Sequence, residues 1–272
     1  MALTFTKHHG LGNDFLVALD EVSPEAATLG PDDARRWCAR RTGVGADGLI
    51  RGEVGADGVD VVMHLWNADG SRAEMSGNGI RCLAHAVLLA RGLEHASLCI
   101  ATDAGLRDLD AGIDGAATAS VRVAMGPARP GPAIPDAVRD RFGHARMATV
   151  DVGNPHLVVE VASPADVDLA VDGAWAEQQF PAGANVEFIA RAAEPDALDL
   201  VVWERGAGIT QACGTGAVAA AATAHTWGTV GRLVEVVMPG GGAQVEVADE
   251  LVLIGPSVLI AHIDPAPDRR ST

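Results

Sequence analysis

Met75-Ser76-Gly77-Asn78-Gly79-Ile80 opens one apolar helical stretch, and Ala212-Cys213-Gly214-Thr215-Gly216-Ala217 opens another. Both read small nucleophile, glycine, polar residue, glycine, then helix, and they lie about half a chain apart. A unit repeated at that spacing predicts a duplicated fold with one such helix in each half. A helix start carries free N–H groups and partial positive charge, so it binds a carboxylate and favours a thiolate at its first turn. Two such starts facing one another would hold one carboxylate and set a side chain on each face of the adjoining carbon. That arrangement suits removal of a proton from one face and its return to the other.

Cys213 is therefore a candidate general acid or base, activated as thiolate by its helix end. The competing reading is a buried cysteine acting as a small hydrophobe, and residue types alone leave the two balanced. Ser76 is first of all a helix cap worth about 1 kcal/mol. As a base it is weak and needs a neighbouring base. Glu74 or a histidine could assist, and no motif secures either.

Outward from these starts, the helices are expected over about Ser76–Arg91 and Cys213–Trp227. Leu3–Lys7 and Phe15–Leu19 read as a strand pair joined by the turn His9–Asp14, and Pro31 starts a helix to about Arg41 with Gly43 as its stop. Val59–Trp66 reads as a buried strand. Further strands are expected at Thr118–Ala124, Leu157–Val161, Val186–Ile189, Leu198–Trp203 and Leu233–Val237, the last closed by Pro239-Gly240-Gly241-Gly242. Gly126–Pro135, rich in proline, reads as the connector between domains.

The 272 residues are 48 % hydrophobic, enough for two small cores. A net charge of −16 repels polyanions, so neither nucleic acid nor an anionic membrane surface is an expected partner. The sequence has no long uncharged apolar run and no basic-then-apolar leader, which predicts a cytoplasmic protein. Cys38, Cys82, Cys99 and Cys213 form no CxxC pair, against a disulfide framework or zinc finger. The histidines show no HExxH spacing, and no catalytic metal is expected. Among 20 basic residues only Lys7 is a lysine. A pyridoxal cofactor needs a Schiff-base lysine; Lys7 sits on the first strand with no phosphate-binding sequence beside it, and no cofactor is expected.

Two further segments add polar groups: Asp151-Val152-Gly153-Asn154-Pro155-His156, and Trp203-Glu204-Arg205-Gly206 just ahead of the Cys213 turn. Arg205 could bind a carboxylate through both guanidinium nitrogens, although a surface salt bridge is the commoner fate of an arginine.

Taken together, the segments resemble the diaminopimelate epimerases along nearly the whole chain. The resemblance rests on His9–Phe15, Gly43–Gly48, Asn67–Ser71 with Gly77–Cys82, Gly153–His156, Asn185–Phe188, and Glu204–Gly208 with Ala212–Gly216, in the family's order. It implies a cofactor-independent epimerase that inverts one α-carbon of LL-diaminopimelate to the meso form by two-base proton transfer, in lysine and peptidoglycan synthesis. It also implies an α+β fold of two pseudo-symmetric domains, each a curved, mostly antiparallel sheet around a central helix, with the active site in the cleft between them. The halves would be residues 1–118, joined by 256–272, and residues 119–255; the family's tendency is to homodimers.

By position, Cys213 matches the second catalytic cysteine. Gly77, Asn78, Gly214 and Thr215 match the α-carboxylate cradle. Asn67, Asn185 and Arg205 match the groups that read the distal end of the substrate, with Asn13 and Asn154 also in its shell. His156 and Glu204 match residues placed beside the thiols and the α-amino group. The first catalytic cysteine is replaced by Ser76, and Ile209 stands where many relatives carry glutamate. The sequence leaves three accounts of Ser76 open: a natural variant in which serine serves as proton donor or relay beside Cys213, an engineered inactive form, or a divergent relative acting on another amino acid or by one-base chemistry; the rival reading from another class is an amino-acid-binding protein without catalysis.

Overall fold

The structure is a computed structural model that describes residues 3–266. The chain divides into two compact units, one running up to Val123 and resuming at Pro256, the other Ala124–Gly255. The outer ends of the expected first half, residues 1–2 and 267–272, lie outside the described residues.

In the first unit, the strands Phe5–Gly10, Asn13–Leu19, Gly48–Val54, Val61–Asn67, His95–Thr102, Gly105–Ile113 and Thr118–Gly126 follow one another across the sheet. The strand Leu251–Ile263 returns to pair with Phe5–Gly10, Phe5 opposite Ile263. Five of the seven neighbouring pairs for which register is defined are antiparallel; Phe15 against Gly48 and Val61 against Ile100 are parallel. The sheet wraps the helix Gly77–Arg91, whose first twelve residues, Gly77 to Leu88, are all buried. The buried stretch includes Asn78, Arg81 and His85 beside its apolar residues. Gly92, at φ 63°, ends it in the left-handed conformation.

The second unit repeats the plan. Pro155–Glu160 pairs parallel with Asn185–Arg191, which pairs antiparallel with Ala197–Glu204, which pairs parallel with Leu233–Met238, followed by Gly241–Glu246 antiparallel. This is the same alternation of directions as in the first unit. The enclosed helix is Gly214–Thr226, buried from Gly214 to Ala224, and its run of alanines combines high helix propensity with side chains small enough to let the sheet close in. Two further helices, Asp136–Phe142 and Leu169–Gln179, lie in this unit. Each unit is thus a mixed α+β body, mostly strand, built round one helix.

Several local expectations are corrected. The Pro31 helix stops at Trp37, because the Trp37 carbonyl accepts the amides of Val44 and Gly45 and turns the chain back. Gly43 is needed for that approach and is not a helix stop: a Cβ there would lie 2.3 Å from the Arg36 carbonyl oxygen. Val61–Asn67 alternates buried and half-buried residues through most of its length instead of being buried throughout. Only Pro239-Gly240 forms the turn expected of four residues, since Gly241 and Gly242 pair with Met238 and Val237. The crossing between units falls at Val123–Ala124, before the proline-rich segment, whose Arg129 and Pro130 pair with Asp151 and Val150.

Among the described residues no helix is long and apolar enough to cross a membrane, and no cluster of three or more His, Cys, Asp and Glu is arranged to hold a metal.

Candidate active site

Ser76 and Cys213 are the caps of the two enclosed helices. Ser76 is extended at φ −138°, ψ 122°, and its Oγ accepts the Gly79 amide at 3.0 Å. Cys213 has φ −122°, ψ 115°, and its Sγ accepts the Gly216 amide at 3.3 Å. The intervening amides, of Gly77 and Asn78 and of Gly214 and Thr215, lie ahead of the intrahelical ladder and form an anion-binding end in each unit.

Each helix end is met by an asparagine, Asn13 at the start of its strand and Asn154 in the turn just before Pro155–Glu160. Asn78 Nδ2 donates to Asn13 Oδ1 at 3.3 Å, and Asn154 Nδ2 donates to Thr215 Oγ1 at 3.5 Å. Asn13 is itself held by Asp47 Oδ2 at 2.9 Å, within a network in which Arg40 bridges Asp14 and Asp47 and Lys7 pairs with Asp14 at 2.9 Å. Burial pushes the Asp14 carboxyl up, but the hydrogen bonds from Arg40 and Lys7 outweigh it and hold it below the ordinary carboxylate range.

Within each unit, strand register brings the remaining residues of that unit to one sheet end. In the first unit Phe15 lies opposite Gly48 and Gly48 opposite Asn67. In the second, His156 lies opposite Asn185 and Val186 opposite Trp203, which sets Glu204 beside Asn185. Asn67 is exposed, with its Nδ2 donating to Ser71 Oγ at 2.9 Å. Asn185 spends its amide on the backbone, accepting the Arg205 N–H at 2.9 Å and donating to the Pro155 carbonyl at 3.1 Å, so it fixes where the exposed Arg205 begins. The first-unit group is therefore Asn13, Asn67, Ser76, Gly77 and Asn78, and the second-unit group Asn154, His156, Asn185, Glu204, Arg205, Cys213, Gly214 and Thr215.

The electrostatics correct one expectation. Cys213 is 5 % exposed, and burial, Glu204 and Glu187 push its thiol well above the ordinary value, against the opposing pull of Thr215 and the Gly216 amide. The helix end alone does not make it a thiolate in this state. Burial also raises the Glu204 carboxyl, while the Thr210 hydroxyl, donating at 2.5 Å, and Cys213 draw it down. An acid and a thiol, both biased toward their protonated forms, thus stand side by side at the helix end.

Glu187, Asp47 and Thr210 also belong to these networks, without a motif that marks these roles in the sequence. The signal for Glu187 was a lone acid within the apolar run Val186–Ile189; it is fully buried against His156, with Nδ1 2.7 Å from Oε1.

The family model for diaminopimelate epimerase matches residues 5–130 and 148–260. The chain belongs to the diaminopimelate epimerase family. Diaminopimelate epimerases of Synechococcus elongatus and Corynebacterium glutamicum are each 40 % identical to it, over 96 % of this chain and 97 % of theirs. Among solved structures, a predicted epimerase from Pseudomonas aeruginosa shares the fold with a TM-score of 0.73 at 16 % identity, over 98 % of this chain and 100 % of that one. The matched residues include both helix starts and both groups of site residues above.

Proposed function

We propose that this chain interconverts LL- and meso-diaminopimelate by cofactor-independent two-base proton transfer at the α-carbon. The observation that carries the reading is the matched pair of helix starts, each capped by a small nucleophile and followed by glycine, a polar residue and glycine. Family membership supplies the substrate. In this reading Gly77, Asn78, Gly214 and Thr215 hold the α-carboxylate through helix N–H groups, with Asn13 and Asn154 in support. Asn67, Asn185 and Arg205 read the distal, non-reacting end. Arg205 supplies charge, and Asn185 positions Arg205.

Cys213 takes the α-proton in one direction and returns one in the other, with His156 and Glu204 governing its charge. Ser76 stands in the position of the family's first cysteine and acts as the partner acid, a poorer one than a thiol because its hydroxyl holds its proton more tightly. The two units are then the two epimerase halves, and the enzyme is taken as a cytoplasmic homodimer, as the resemblance implies.

The test is exchange in heavy water. Diaminopimelate incubated with the protein is expected to gain deuterium at one α-carbon, and Cys213→Ala to lose that exchange. Inversion should accompany exchange in the unmodified protein. Exchange without inversion would mean that Ser76 does not deliver its proton, and tight binding with no exchange between about pH 6 and 9 would identify a binding protein.

A further inference from the structure

The two helix starts match in backbone and cap, yet the side chains beneath them differ. Parallel pairing places His156 opposite Asn185 and Val158 opposite Glu187; the corresponding register in the first unit places Phe15 opposite Gly48 and Val17 opposite Ile50. The glycines above mark the same equivalence. A Cβ on Gly216 would lie 2.8 Å from Glu187 Oε1, and one on Gly79 would lie 3.2 Å from Ile50 Cδ1. At equivalent register positions the first unit thus carries two buried apolar side chains, Phe15 and Ile50, the latter beneath Gly79, and the second carries a fully buried His156–Glu187 pair. A buried polar pair carries a desolvation cost that apolar residues avoid. The first unit shows that this packing does not require the pair.

From that pair a chain of hydrogen bonds runs to the sulfur. His156 Nε2 lies 2.8 Å from Asn154 Oδ1, Asn154 Nδ2 lies 3.5 Å from Thr215 Oγ1, and Thr215 Oγ1 lies 3.4 Å from Cys213 Sγ. The links have a direction. Asn154 Oδ1 only accepts, so His156 Nε2 donates; Thr215 accepts from Asn154, which leaves its own hydrogen available to the sulfur.

We propose that Glu187 is a positioning residue: its Oε1, 2.7 Å from Nδ1, fixes the His156 ring with Nε2 toward Asn154 Oδ1, and through Asn154 it directs the Thr215 hydroxyl hydrogen onto Cys213 Sγ, supporting the thiolate. The proposal rests on the epimerase reading and deepens it, because it makes Cys213 the stronger base of an unequal pair. The charged and titratable groups around the thiol are Glu204 on Ala197–Glu204, Glu187 on Asn185–Arg191 and His156 on Pro155–Glu160. Acting as a bare charge, Glu187 would oppose a thiolate. Acting through the relay, it favours one.

These opposite signs give the test. The rate at which iodoacetamide alkylates Cys213 in the full chain, without substrate, is followed against pH by peptide mass spectrometry. Glu187→Gln is expected to raise the midpoint by about one pH unit, roughly tenfold slower alkylation below it. Thr215→Val should raise it similarly, and the double variant no more than either alone. A lower midpoint, an unchanged one, or additive shifts would overturn the proposal. If circular dichroism shows that Glu187→Gln does not fold, Asn154→Ala cuts the same chain at a half-buried position; a raised midpoint supports the relay and an unchanged one overturns it. The readout needs no turnover, so failure here is distinct from failure of the α-deuteration that tests the epimerase.

Discussion

Ser76 accepts the Gly79 amide through an oxygen, where Cys213 offers a sulfur to Gly216 in nearly the same backbone conformation. As caps the two are equivalent, and Ser76→Ala should cost about 1 kcal/mol of stability in urea unfolding. As acids they differ by several pK units, because a thiol ionises near 8.5 and an alcohol far above the working range. The Cys213 geometry shows that a thiol fits such a cap, so Ser76→Cys should fold normally and raise the rate of inversion by orders of magnitude. Unchanged inversion with intact α-deuteration would mean that the proton on that face comes from another group. The cap at Ser76 was legible in the sequence, since serine before a glycine-rich helix start carries a local signal. The His156–Glu187 pair was not, because 31 residues separate the partners and only the parallel register joins them.

At the scale of elements, the glycine in the first turn of each enclosed helix is fixed by what lies beneath it. Gly216→Ala would press a methyl group to 2.8 Å from a carboxylate oxygen that His156 already holds, whereas Gly79→Ala meets the Ser76 Cβ at 3.1 Å and a movable Ile50 methyl at 3.2 Å. Overpacking of this kind costs about 1–3 kcal/mol, offset by roughly 1 kcal/mol of helix propensity. Gly216→Ala is therefore expected to be the more destabilising in thermal unfolding and to slow α-exchange; the reverse order of stabilities would contradict the packing described. Both enclosed helices were readable because caps, glycines and apolar runs are local. The strand Gly105–Ile113 was not, since Arg107, Asp108 and Asp110 on it resemble a loop until pairing with His95–Thr102 is known. Nor was the end of the Pro31 helix, which depends on amides seven and eight residues beyond Trp37.

At the scale of the whole molecule, acid sensitivity is expected from His8 in the first unit. His8 is 0 % exposed, neither ring nitrogen has a hydrogen-bond partner among the described residues, and its ring meets His85 edge-on with centroids 4.9 Å apart. Burial, with the neighbouring His85, His262 and His9, lowers its pKa from 6.5 to about 3. The folded chain keeps His8 neutral while the unfolded chain protonates it, so stability falls as pH drops from about 6.5 toward 3, by about 2 kcal/mol at pH 5. His8→Phe should flatten urea stability between pH 7 and 5, a range that brackets the free imidazole value, and an unchanged slope would place the sensitivity elsewhere.

The strand Leu251–Ile263 also bears on how the chain acquires its shape. The segment Ala124–Gly255 contains nearly all of its own pairing partners, whereas Phe5–Gly10, made first, needs residues 258–263 beside it. On the ribosome the order of completion is therefore inverted: the later-synthesised unit can close while the earlier one still waits with an open strand edge. That interval, spanning most of the time of synthesis, is when Phe5–Gly10 is most exposed to pairing with another chain.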